Sequence, residues 1–181
     1  LTLEGTGPMA TYYGEANIPW YANRALITTV NVGAGVTKLT TNAFCGCTNL
    51  ETVNFAENSQ LQMIGGSVFK SCTSLKSITL PEGLTTISGN AFKYCRNLRN
   101  VYLPDTMSVI DNLAFTGLSG ITFSVAKDSY AKNWVAAHGF AYTEREPAVV
   151  ASGVCGENLT WSLTSDGVLT LDGTGPMATY Y

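Results

Sequence analysis

Short bursts of alternating apolar and polar residues recur along the middle of the chain. Val53-x-Phe55, Ile78-x-Leu80 and Val101-x-Leu103 each follow a leucine, Leu50, Leu75 or Leu98, at the same spacing. Period-2 alternation over so few residues predicts short strands with one buried face, near residues 52–55, 77–80 and 100–103. Pro81 and Pro104 stop two of them, because proline cannot donate to a ladder. Leu50, Val53 and Phe55 therefore point inward, as do their counterparts, and the residues between them face out.

The bursts belong to a longer repeat. "AFCGCTNLETVNF" starts at Ala43, "VFKSCTSLKSITLP" at Val68, "AFKYCRNLRNVYLP" at Ala91, and a degenerate "AFTGLSGITF" at Ala114. The Phe anchors, Phe44, Phe69, Phe92 and Phe115, are spaced by 25, 23 and 23 residues. Cys47, Cys72 and Cys95 keep the first two of those steps. Leu61-x-x-Ile64, Leu84-x-x-Ile87 and Met107-x-x-Ile110 supply a second half to each copy. The longer copy has "AENSQ" where the next has "PEG", so the insertion falls in one loop and leaves the apolar columns in register. A period of this length predicts the coils of a solenoid. Val30-x-Val32 and Val36-x-x-Leu39 read as an incomplete leading coil. The Ala-Phe stretches are expected to close the coils as short helical or 3₁₀ turns. The fold class expected is α/β: a β-rich right-handed superhelix with a flanking β-hairpin.

The pattern A-F-x-x-C-x-x-L-x-x-[VI]-x-[FL]-P resembles the BspA-like leucine-rich repeat of bacterial surface proteins, over roughly residues 25–143. "SVAKDSYAKNWVAAHGFAYT" resembles that family's closing element, a short helix near 129–138 and a final Tyr-bearing strand. The resemblance implies a leucine-rich-repeat solenoid, an extracellular place on a bacterial surface or in the secreted fraction, and adhesion to a host or matrix protein or glycan.

The chain opens on "LTLEGTGPMATYY" and closes on "LTLDGTGPMATYY", identical but for Glu4 against Asp172. Before the second copy, Trp161, Leu163, Leu169 and Leu171 alternate with polar residues around Ser165-Asp166-Gly167, a hairpin signal. The first copy has no such partner ahead of it. The expected organisation is the second half of a leading β element and cap over 1–24, the solenoid with its cap over 25–143, and a linker with the start of a next tandem unit over 144–181. The chain has no Met at its start and no signal peptide, and reads as a piece of something longer. A C-terminal hairpin could dock on the N-terminus of the next molecule, giving head-to-tail self-association, or fold back on its own, or hang loose.

Charge and composition narrow the function. The chain has 181 residues with a net charge of −3, and only 13% are charged. The basic footprint of nucleic-acid binding is absent, and no run is long enough to insert in a membrane. Five cysteines invite a metal or disulfide reading. Cys45-x-Cys47 is a poor match to zinc spacing, and the others stand one per copy. Cys47, Cys72 and Cys95 are read as reduced, buried small hydrophobes; Cys45 and Cys155 are left open. His138 is the only histidine, placed where it favours a helix C-terminus. Ser129-x-x-Lys132 matches one catalytic motif without its partners. The glycine-rich "GTGPM" and "GAG" lack a phosphate-binding lysine, and Asn158-Leu-Thr160 is a glycosylation sequon. No catalytic residue, metal or cofactor is expected.

What remains is surface. The outward residues form two columns, Thr52, Ser77, Asn100 and Asn54, Thr79, Tyr102, with Glu51, Lys76 and Arg99 beside them. Thr52, Asn54, Ser77, Thr79, Arg99, Asn100 and Tyr102 are the candidate ligand-binding residues, for an unidentified protein or glycan. The aromatics Tyr12, Tyr13, Trp20 and Tyr21 either form a second binding patch or pack under the first coil. Two function classes stay open: an extracellular binding module, and a structural spacer or stalk repeat of a cell-surface protein.

Overall fold

The computed structural model describes residues 1–146, 149–164 and 167–179. Residues Leu1–Glu144 form one compact unit and Arg145–Tyr181 another. The first is a largely β solenoid of about five turns, and hydrogen-bonded ladders run along three of its sides.

The first ladder is a strand face in two sheets. β1 (Thr2–Leu3), β3 (Thr29–Val32) and β5 (Thr52–Phe55) make one; β7 (Ser77–Thr79), β9 (Asn100–Tyr102), β11 (Thr122–Ala126) and β12 (Ala141–Arg145) make the other. The strands of successive coils are parallel, with Thr29 opposite Thr52 and Ser77 opposite Asn100. The second ladder runs unbroken and parallel through β2 (Gly7–Pro8), β4 (Val36–Leu39), β6 (Met63–Ile64), β8 (Thr86–Ile87) and β10 (Val109–Ile110).

The third ladder is made by the Ala-Phe stretches. They are tight turns with i→i−3 bonds, such as Ala43 N–H to Thr40 O and Cys47 N–H to Phe44 O. No continuous helix forms, because left-handed residues interrupt the first three turns on both sides of the Phe and the fourth on its far side. These are Asn42, Ser67 and Asn90 two positions before it, and Gly46, Ser71, Tyr94 and Gly117 two positions after. That alternation aims every second N–H at the next coil. Asn42, Phe44 and Gly46 donate to Gly66, Val68 and Lys70 at 2.8–3.0 Å, and Ser67, Phe69 and Ser71 repeat the pattern one coil on.

Inside the ladders the predicted columns are buried. Phe44, Phe69 and Phe92 are fully buried and Phe115 nearly so. Their rings stack in file, with centroids 5.5, 5.3 and 5.0 Å apart. Trp20 closes the file at one end, 5.8 Å from Phe44, with its indole N–H donating to Ala43 O at 2.7 Å. Phe123 and Trp134 close the other. Trp134 sits on α1 (Tyr130–Ala137), the capping helix, whose N-cap is Ser129. Of the opening aromatics, then, Trp20 packs as a cap, whereas Tyr13 is exposed. Beyond the expected leading coil, β1 and β2 add a half coil in front of it, so the first copy of the repeated word is solenoid strand.

The second unit is an antiparallel meander. β13 (Val149–Gly156) pairs with β14 (Asn158–Thr164), which pairs with β15 (Leu169–Thr174). The expected hairpin is β14–β15, and β13 is a further strand. Ser165 and Asp166 of its turn, like the closing Tyr180 and Tyr181, lie outside the described residues.

Candidate binding face

The strand face is interrupted once. β5 and β7 lie in neighbouring coils but belong to separate sheets, so a seam divides the outward columns. The loop after β5 carries the two extra residues of the long copy, and the loop after β7 is the short Pro81-Glu82-Gly83. Both line a groove of about 550 Å³ at the seam, with Thr52, Asn54, Phe55, Ser77, Thr79 and Tyr102 along its floor and walls. A smaller depression of about 220 Å³ adjoins it and shares Ser77, Thr79 and Tyr102. It adds Asn100, Thr122, Ser124 and Thr143.

Six of the seven candidate residues meet here. Thr52, Asn54, Ser77, Thr79 and Asn100 are exposed and Tyr102 is half-buried. Asn54 Nδ2 donates to Asn31 Oδ1 at 2.9 Å, and the Tyr102 hydroxyl donates to Glu82 Oε1 at 2.7 Å. Arg99 is not brought in. Its Nη1 donates to the carbonyls of Arg96 and Leu98 at 2.8 and 3.0 Å, which holds the guanidinium against its own loop.

Phe55, Glu57, Glu82 and Thr143 escaped the sequence reading. Phe55 was expected to point inward with Leu80 and Leu103, which are buried. It is only half-buried and lines the groove. The insertion that follows it is the signal, since this copy alone among the three full ones has no proline to end its strand. The groove thus combines hydroxyls, amides and two aromatic rings with the carboxylates of Glu51, Glu57 and Glu82. Neither depression is lined by a lysine or arginine among the described residues.

The other chemical candidates serve the fold. Ser129 Oγ accepts from Lys132 N–H at 3.1 Å and donates to Ala126 O at 2.7 Å, so it is a helix cap. Lys132 Nζ lies 3.0 Å from Glu144 and 3.9 Å from Asp128. His138 stacks on Trp134 at 4.0 Å and shares Nδ1 with Trp134 O at 2.7 Å. Among the described residues no cluster of three metal-ligating side chains exists, and no helix is long and apolar enough to cross a membrane.

All five cysteines are free thiols. Cys47, Cys72 and Cys95 are fully buried. Cys72 Sγ donates to Phe44 O at 3.2 Å and Cys95 Sγ to Phe69 O at 2.9 Å, which bonds each thiol to the preceding coil. Burial pushes the Cys47 thiol up to about 11, Cys95 up to about 12, and Cys72 well above its ordinary value. Cys45 is also raised to about 11, by burial and then by Glu15. The thiolate is the reactive form, so Cys47, Cys72 and Cys95 stay unlabelled by alkylating reagent in the native protein and label on unfolding. Mass spectrometry of natively treated protein checks this; ready labelling of all three contradicts the buried column. The raised values also set a sign for stability. The folded protein holds these protons more tightly than the unfolded chain, so their contribution is complete below pH 9 and is lost as pH climbs towards 11–12.

Comparison with known proteins bears on most of the solenoid. A family model described as BspA type leucine rich repeat region matches residues 19–131 in 6 copies. No curated protein matches the chain. Among solved structures, a leucine-rich repeat protein of Bacteroides ovatus superposes with a TM-score of 0.57 at 24% identity, covering 67% of this chain and 31% of that one. One of T. pallidum gives 0.55 at 22% identity, over 66% of this chain and 51% of that one. One of Eubacterium ventriosum gives 0.51 at 23% identity, over 67% and 38%. At such identities the likeness shows the fold, and the chain spans about a third to a half of the length of these solved chains.

Proposed function

Because the chain belongs to the BspA-type leucine-rich repeat family, we propose that it is a non-catalytic binding module that holds an extracellular protein or glycan on its strand face. Adhesion to a host or matrix component, from a bacterial surface or as a secreted protein, is the role this reading gives it. The seam groove carries the proposal. Repeat proteins bind along regular exposed faces, and here the break in that face collects five of the outward candidates with Phe55, while Asn100 lines the adjoining depression. Hydroxyl, amide and carboxylate groups around aromatic rings suit the hydroxyls of a sugar chain or the backbone of an extended peptide. The carboxylates at Glu51, Glu57 and Glu82 disfavour anionic ligands.

The spacer reading has its own support in the bland outward columns, where Asn54 already spends a hydrogen bond on Asn31. An immobilised set of matrix proteins and glycans, probed with the chain and with a Ser77→Arg/Thr79→Arg variant, separates the two. The binding reading expects at least one ligand whose affinity falls about tenfold or more in the variant, a loss of about 1.4 kcal/mol. Binding that is indifferent to both substitutions places recognition elsewhere, and no binding at all favours the spacer.

A further inference from the structure

The seam in the strand face is a gap in the backbone ladder. Elsewhere successive coils are tied at one equivalent point. Glu51 N–H donates to Thr28 O at 2.9 Å, Arg99 N–H to Lys76 O at 2.8 Å, and Thr122 N–H to Arg99 O at 2.7 Å. The matching bond across the seam, Lys76 N–H to Glu51 O, is not made, and no ladder joins β5 to β7. The same two coils stay bonded on their other sides, with Met63 opposite Thr86 and Phe69 N–H donating to Ala91 O at 2.8 Å. The opening is therefore confined to the strand face, between two full coils. The insertion after β5 accounts for it. Ala56 and Gln60 donate to Val32 and Ala34 of the coil before, at 3.0 and 2.8 Å, and Pro81 on the far side has no N–H to offer.

Strand alternation shows which groups the gap leaves bare. Thr52 and Ala56 donate toward β3, so Val53 and Phe55 turn their N–H and C=O groups into the gap. On β7, Lys76 O accepts from Asn100, and Leu80 N–H donates to Tyr102 O at 3.2 Å. Ser77 and Thr79 between them therefore turn theirs into the gap. Both are exposed, whereas Val53 is buried. β7 thus presents the open edge, and the half-buried Phe55 stands opposite as a wall. Glu57 and Glu82 lie just past the ends of the two strands, and among the described residues no lysine or arginine lines the groove.

We propose that this groove takes an extended peptide, which adds as a strand to the edge of β7. The proposal rests on reading the groove as the binding site and names its ligand. Alternating donors and acceptors along a strand edge are matched by another extended backbone. The hydroxyls of a sugar carry no such fixed alternation. The peptide runs antiparallel to β7, the more stable pairing, which brings its N-terminal end to Glu57 and Glu82. A lysine or arginine there, or the terminal amine, meets their carboxylates. Ser77 and Thr79 gain backbone partners, and no bond of the solenoid is released, since neither serves a ladder.

The probe is a pool of hexapeptides with lysine first and threonine alternating with valine, isoleucine or tyrosine. Each carries fluorescein at its C-terminus, and anisotropy follows its titration with the full chain. Thr79→Pro removes a gap-facing N–H that no ladder uses and lowers affinity about tenfold or more. Thr79→Ala removes the side chain alone and stays within about threefold of wild type. Circular dichroism and urea unfolding report whether Thr79→Pro keeps its fold. A second measurement leaves the chain untouched: N-methylation of every second peptide residue blocks one edge of the incoming strand. One set of methylated positions abolishes binding and the alternate set preserves it. Three results overturn the proposal: no peptide of the pool bound by wild type, equal losses from Thr79→Ala and Thr79→Pro, or both methylated sets behaving alike. If peptides fail while a glycan binds and loses affinity in the Ser77→Arg/Thr79→Arg variant, the groove keeps its role and the ligand named here is wrong. If no ligand of either kind responds to that variant, the groove reading falls as well.

Discussion

Phe92→Ala destabilises the solenoid by about 3–5 kcal/mol, the range for an aromatic ring removed from a core. The upper half of that range is expected. Phe92 is fully buried between Phe69 and Phe115, at 5.3 and 5.0 Å. Its backbone is pinned on both sides, by its own N–H to Ala114 O at 2.8 Å and by the Phe69 N–H to Ala91 O at 2.8 Å. Such a site cannot collapse, so the cavity persists and two neighbouring rings lose a face. Urea unfolding gives the value; a change below about 1 kcal/mol would mean that the aromatic file does not hold the coils together.

Gly65→Val costs about 2–3 kcal/mol, for a different reason. Gly65 has no unusual φ, so its need for glycine is steric. A Cβ there would stand 2.8 Å from Leu39 O and 3.0 Å from Thr41 N, both backbone atoms of the preceding coil. Leu39 O is also the acceptor of the Gly65 N–H, at 2.9 Å, so relieving the clash breaks a ladder bond. The corresponding residue one coil on, Ser88, already carries a Cβ and bonds Ile64 O at 3.0 Å. Ser88→Ala should stay within about 0.5 kcal/mol of wild type. Equal losses at the two sites would contradict this difference between coils.

The inward columns were legible because burial imposes the same demand on every coil. Phe, Cys and Leu recur wherever a side chain must meet its counterpart one coil away. The outward columns followed from strand alternation alone, and their six residues line the two depressions. Arg99 was placed beside those columns, and its long side chain turns to the nearest carbonyls, which no spacing rule records. The seam was half visible. The insertion after Phe55 is plain in the sequence, but its consequence depends on which strands still pair across it, a tertiary matter. The left-handed turns were hidden for a related reason. Asn and Gly tolerate positive φ, but Ser67, Ser71 and Tyr94 adopt it only because the neighbouring coil takes up their N–H groups or those beside them. The repeated word shows the limit most plainly, since its opening Leu-Thr-Leu pairs parallel at Thr2–Leu3 and antiparallel within Leu169–Thr174. Such short stretches carry little preference of their own, and the partner decides.

The central claim is that recognition belongs to the outward columns at the seam and the fold to the inward ones. Mapping backbone amide shifts of the labelled chain on titration with a ligand retrieved by the binding screen tests it most directly. The account predicts perturbations centred on Thr52, Asn54, Ser77, Thr79, Asn100 and Tyr102, with Phe55 and Glu82 among them and the Phe44-to-Phe115 file unmoved. Perturbations centred instead on α1, on the opening aromatics or on the C-terminal meander would contradict it.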